Sequence, residues 1–119
     1  MAKILLVDDS ATEIKLFSDM LEKMGHDVIV AENGRDGVDM AKAEQPDIVL
    51  MDIVMPDMNG FQATRQISRD DSTSHIPVII VSSKDQETDK VWGERQGAKG
   101  YITKPVDTNE LMEVMQSVL

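Results

Sequence analysis

The sequence predicts an α/β fold, a doubly wound parallel sheet of five strands with helices on both faces. Two observations predict it. Short, uninterrupted apolar runs alternate with helix-spaced apolar residues along the whole chain, and several of those runs end abruptly on a polar or charged side chain. A strand buried on both faces reads as a continuous apolar run. Alternation of such runs with helical patterns argues for a parallel sheet joined by right-handed crossovers.

The elements follow in order. Ile4-Leu5-Leu6-Val7 is the first strand, and Ser10 to Met24 is a helix with Ile14, Phe17, Leu21 and Met24 at helical spacing, closed by Gly25. Asp27 to Ala31 is a second, weaker strand. Asn33 caps a helix that runs to about Glu44 with Val38 and Ala41 inward, and Pro46 breaks it. Ile48-Val49-Leu50-Met51 is the third strand and delivers Asp52. A loop with Pro56 and Asn59-Gly60 leads to a helix over Phe61 to Arg69, and Asp70 to His75 is a polar connector. Pro77 opens the fourth strand, Val78 to Val81, which delivers Ser82 and Ser83. Glu87 to Gln96 is helical and stops at Gly97. Gly100 to Thr103 is a short fifth strand followed by Lys104-Pro105, and Asp107 caps a last helix with Leu111, Val114, Met115 and Val118 on one face.

Composition narrows the function classes. With 119 residues and 41% apolar content, the chain has the size and character of one globular domain. It has no cysteine, which excludes disulfides, zinc–thiolate sites and a thiol nucleophile. No apolar run approaches the roughly 20 residues needed to cross a bilayer, and Ile4 to Val7 is too short for a signal-peptide core. A cytoplasmic protein without membrane insertion is therefore expected. The net charge of −10 argues against direct nucleic-acid binding, which needs clustered Lys and Arg. Most of the acids read as a solvated surface.

Some do not. Ligands of an open parallel sheet bind at the carboxyl ends of its strands. Those ends deliver Asp8 and Asp9, Asp52, Ser82 and Lys104, while the second strand delivers only Ala31-Glu32. Clustered carboxylates repel by roughly 4 kcal/mol per pair at about 4 Å and an effective dielectric near 20. Protonation or a cation must relieve them. The donors are hard oxygens, which suits Mg²⁺ or Mn²⁺. Against that stands the plainer reading that Asp9 and Ser10 merely open the first helix, which leaves Asp52 and Lys104 unexplained. A carboxylate next to a divalent cation can act as a nucleophile and form an acyl phosphate. Asp52 is the candidate, with Lys104 and Ser82 placed to bind the phosphoryl oxygens.

Five motifs carry a family resemblance: Val7-Asp8-Asp9-Ser10, Met51-Asp52-Ile53-Val54-Met55-Pro56, Asn59-Gly60, Val81-Ser82-Ser83 and Tyr101-Ile102-Thr103-Lys104-Pro105. In this order they resemble the receiver domain of bacterial two-component response regulators, over the whole chain. The resemblance implies a flavodoxin-like sheet of order 2-1-3-4-5 with five helices, and one receiver domain over residues 1–119 without an output domain. It implies Asp52 as phosphoacceptor, and Asp8, Asp9, Asp52 and the backbone carbonyl of Val54 as metal ligands. Lys104 matches the site lysine, and Ser82 and Tyr101 the two switch residues. Phosphorylation would draw Ser82 toward the new group and turn Tyr101 inward. A simpler reading of Tyr101 is a half-exposed strand aromatic.

Met51 to Gln66 and Lys84 to Val106 are similar, more narrowly, to stand-alone regulators of type IV pilus twitching motility, which pair with a chemotaxis-like histidine kinase. This implies a downstream partner in the pilus or motility machinery, or a role as a phosphate sink, with Asp89, Trp92 and Arg95 on the partner surface. Trp92 reads equally as a partner anchor or a core-facing side chain. Three rivals are weaker. An aspartyl phosphatase or phosphotransferase needs an acid where Val54 stands. In a flavodoxin-like cofactor binder, Asp8 and Asp9 would repel the phosphate. A pseudo-receiver would not carry the full set Asp8, Asp9, Asp52, Ser82 and Lys104.

Overall fold

The apolar runs become strands because both of their faces are covered. The computed structural model describes Met1–Leu119. Its strands are β1 (Lys3–Val7), β2 (Asp27–Ala31), β3 (Ile48–Met51), β4 (Val78–Ser82) and β5 (Gly100–Thr103). They form one parallel sheet in the order β2-β1-β3-β4-β5, as expected. Five helices alternate with them: α1 (Ala11–Lys23), α2 (Gly34–Glu44), α3 (Gly60–Arg69), α4 (Glu87–Arg95) and α5 (Thr108–Val118).

Alternate residues of each strand point to opposite faces, so the sheet divides the apolar core into two. Ile4, Leu6, Ile48, Leu50, Ile79 and Val81 pack with Phe17 and Leu21 of α1 and Leu111 and Met115 of α5. Leu5, Val7, Val49, Met51 and Val78 pack with Val38 and Ala41 of α2 and Ala63 and Ile67 of α3. Each fully buried side chain of this size contributes about 1.5–3 kcal/mol. The weakness of the second strand has a physical cause. β2 lies at the sheet edge and pairs only with β1, and Val28, Ile29 and Val30 are half-buried.

The caps at Asn33 and Asp107 fall where the sequence places them, and Asn59, read from the sequence as part of a loop, is a cap as well. Ser10, Asn33, Asn59 and Asp107 each accept a backbone N–H in the first turn of their helix. Besides one-residue shifts at element ends, among them the start of β1 and α3 and the end of α4, two details differ from the sequence reading. β4 runs one residue longer, because Ser82 still pairs with Thr103 and its carbonyl accepts from Lys104 N–H at 2.8 Å. The polar connector is also partly internal: Thr73 is buried, and its hydroxyl donates to the Ile67 carbonyl at 2.7 Å.

Candidate functional site

The carboxyl ends of β1, β3 and β5 bring four side chains into one cluster. β1 runs straight into Asp8, whose N–H donates to the Ala31 carbonyl, and Asp52 N–H donates to the Val7 carbonyl. The sheet ladder therefore fixes both backbones. Asp8 is 2% exposed and Asp9, its neighbour, is exposed. One carboxylate oxygen from each of Asp8, Asp9 and Asp52 lies within 4.8 Å of the others. Lys104 reaches in from the end of β5, with Nζ 3.4 Å from Asp52 Oδ1 and 3.5 Å from Asp8 Oδ2.

The electrostatics are unbalanced. Three carboxylates face one ammonium, and Asp9 stands outside the Lys104 pairing. Burial pushes the Asp52 carboxyl above the usual carboxylate range. The Lys104 ammonium opposes the rise, and the Asp8 carboxylate adds to it. Charge left over in this way, on hard oxygens open to solvent at Asp9, fits a divalent cation of the Mg²⁺ type.

The remaining expected residues are arranged in two places. Ser82 is fully buried at the end of β4, and its Oγ accepts from Lys84 N–H at 3.1 Å. The Tyr101 ring is half-buried, and its hydroxyl donates to the Lys84 carbonyl at 2.6 Å. Lys84 thus links the two side chains through its backbone. Burial pushes the Tyr101 phenol up; the Ser82 hydroxyl works against that, and the Asp89 and Asp85 carboxylates add to it. Val54 follows Asp52 on the loop and is 62% exposed.

The second place is α4. Gly93 faces inward, where a Cβ would come within 2.8 Å of Ile80 Cδ1 and 3.4 Å of the Tyr101 ring. That close approach leaves the neighbouring Trp92 outside the core, 48% exposed, next to an exposed Val91 and Arg95. Asp89 also has a local task, since its carboxylate accepts from Gln86 N–H at the start of the helix.

Three residues at the site were not assigned to it from the sequence, where Phe17 reads only as a core position and Gly60 only as part of a motif. Glu13 Oε1 lies 3.9 Å from Lys104 Nζ, and the Phe17 ring centroid lies 5.8 Å from the same ammonium. Gly60 packs directly on the Asp52 backbone, and a Cβ there would strike the Asp52 carbonyl oxygen. The only sequence signal for Glu13 is its spacing from Ser10, which reads as a helix cap.

With this geometry in place, comparison with known proteins decides the family. The family model of the response regulator receiver domain matches residues 4–116. The chain belongs to the response regulator receiver family. Receiver domains are signalling switches of two-component systems that work with histidine kinases and downstream effectors, and they bind Mg²⁺ in an acidic pocket. This receiver domain is 64% identical over 119 residues to Protein PilH of Pseudomonas aeruginosa, covering 100% of this chain and 98% of that one. It is similar in fold to the Vibrio cholerae chemotaxis protein CheY4, with a TM-score of 0.92 and 29% identity over 100% of this chain and 99% of the other. It also resembles the receiver domain of the Pseudomonas aeruginosa sensor histidine kinase PA1611, which holds a magnesium ion in its active-site cleft. That TM-score is 0.90, with 28% identity over 98% of this chain and 95% of the other.

Proposed function

We propose that this receiver domain carries a phosphoryl group on Asp52, taken from a phosphohistidine of a chemotaxis-like kinase, and that it serves type IV pilus twitching motility. The observation that carries the chemical part is the placement of Lys104 Nζ between Asp52 Oδ1 and Asp8 Oδ2 beside the acid cluster. The similarity to PilH over the whole chain supports the motility part.

In the forward step an Asp52 carboxylate oxygen attacks phosphorus. The P–N bond to the kinase imidazole breaks, and its electron pair stays on that nitrogen. Asp8, Asp9, Asp52 and the Val54 carbonyl would hold Mg²⁺, or Mn²⁺. The bound ion supplies positive charge against the phosphoryl oxygens; the magnesium in the cleft of the PA1611 receiver supports this. Lys104 gives up a carboxylate for a phosphoryl oxygen, and Ser82 turns its hydroxyl to donate to another. In the hydrolytic step that resets the domain, water attacks phosphorus, the P–O bond to Asp52 breaks, and inorganic phosphate leaves while Asp52 is released as a carboxylate. Val54 has no polar side-chain atom with which to orient that water.

The switch passes through Lys84. When Ser82 moves, Lys84 N–H loses its acceptor, and the Lys84 carbonyl is the group that holds the Tyr101 hydroxyl. Tyr101 lies against Gly93 on α4, so the surface formed by the half-buried Asp89 and the exposed Trp92 and Arg95 is within reach of the change. The signal is a population shift between two arrangements of this segment. The phosphorylated domain then binds a motility partner or drains phosphoryl groups from the kinase.

Phosphotransfer profiling tests the whole reading. Phosphorylated histidine kinases of the host are mixed one by one with the protein. Rapid transfer from a chemotaxis-like kinase, absent with Asp52→Ala, is expected. Preference for an unrelated kinase would contradict the motility assignment.

A further inference from the structure

The Lys104 ammonium has three carboxylate neighbours, and the third belongs to α1. Ser10-Ala11-Thr12-Glu13 has the spacing of a capping box, in which the glutamate turns back to the N–H of the cap residue. Half of that box forms, with Glu13 N–H donating to Ser10 Oγ at 3.3 Å. The other half is displaced, because Ser10 N–H donates to Asp8 Oδ1 at 2.9 Å. The Glu13 carboxylate is thereby released from capping, and its Oε1 stands 3.9 Å from Lys104 Nζ. One helical turn further on, Phe17 lies beneath the same ammonium. α1 thus supplies two contacts to Lys104 that the strand ends do not.

We propose that Glu13 is a positioning residue for Lys104: it shares the ammonium with Asp8 and Asp52 and so keeps those two carboxylates available to a divalent cation. The inference rests on the reading that Asp8, Asp9 and Asp52 bind such a cation. Lys104 lies at 3.4 and 3.5 Å from oxygens of Asp52 and Asp8, so it competes for atoms of the metal set. An ammonium drawn toward a third acceptor competes less well. Without the Glu13 charge, Lys104 settles on Asp52 and Asp8, and the cation must displace it.

The test is calorimetric titration with MgCl₂ of the unphosphorylated protein and of the Glu13→Gln, Lys104→Met and doubly substituted proteins. Gln is isosteric and leaves the Glu13 N–H on Ser10. Glu13→Gln is expected to weaken Mg²⁺ binding about fivefold when Lys104 is present and to have no effect in the Lys104→Met background. Equal weakening in both backgrounds would overturn the proposal, because Glu13 would then act on the cation directly. An unchanged affinity in Glu13→Gln would overturn it as well. Failure of the underlying reading looks different: no Mg²⁺ binding by the unsubstituted protein removes the metal role and this inference together. The titration needs no phosphoryl group on Asp52.

Discussion

Gly60 lies against Asp52 so closely that no side chain fits between them. A Cβ on Gly60 would strike the Asp52 carbonyl oxygen and come within 2.8 Å of Ile53 Cα, and Gly60 N–H donates to the Ile53 carbonyl at 2.9 Å. The start of α3 is therefore a template for the backbone that carries Asp52, the proposed phosphoacceptor. Gly60→Ala must push that backbone aside. It is expected to cost about 2 kcal/mol or more in urea unfolding and to slow phosphorylation by a small donor. Native stability together with native loading would contradict this.

Asp52 is destabilising while it is ionised. Its carboxyl is raised by burial, with Asp8 adding to the rise, so the folded protein binds that proton more readily than the unfolded chain. The contribution is favourable in acid and is lost as pH rises from the ordinary carboxylate range through the raised value. Asp52→Asn is therefore expected to stabilise the domain by about 1 kcal/mol at neutral pH. The gain should shrink as pH falls and when Mg²⁺ is added to both proteins. Denaturant midpoints at several pH values measure it.

In the proposed switch, Tyr101 reports the change through the Lys84 backbone and not through contact with the phosphoryl group. Tyr101→Phe removes the bond to the Lys84 carbonyl, at a cost of about 1 kcal/mol. Phosphoryl loading should stay near native. Amide exchange at Lys84 and along α4 should rise, and phosphorylation should alter it less than in the native protein. A variant that loses loading instead would place Tyr101 in the chemistry.

Asp70, at the C-terminal end of α3, shows the opposite sign. Bonds from the Ser72 hydroxyl and backbone N–H, with Lys42 3.2 Å away, hold its carboxyl down at about 2. A depressed group stabilises above the unfolded value and loses that contribution as pH falls through the folded one. A carboxyl NMR titration should place the Asp70 midpoint near about 2, and Asp70→Asn should flatten the acid limb between about pH 4 and pH 2.

Most of the sheet was legible because parallel strands announce themselves. Ile4 to Val7, Ile48 to Met51 and Val78 to Val81 are continuous apolar runs, and each lies in β1, β3 or β4. Asp8, Asp52 and Lys104 were legible for the same reason, since each follows a strand directly. Glu13 and Phe17 were not. They come from a helix face, and which side chain of α1 overhangs the strand ends depends on how the helix is docked. Gly60 was visible only as part of a turn motif, because its purpose is the space it leaves for another residue's backbone. The spacing around Trp92 suited either face of α4, and the close packing at Gly93 is what turns it outward.

The most direct measurement is the intact mass of the protein and of Asp52→Ala after incubation with a small phosphodonor and Mg²⁺. Native protein should gain one acid-stable, base-labile phosphoryl group, with chelation of Mg²⁺ preventing the gain, and Asp52→Ala should gain none. An equal gain by Asp52→Ala would contradict the assignment of Asp52 as the phosphoryl carrier.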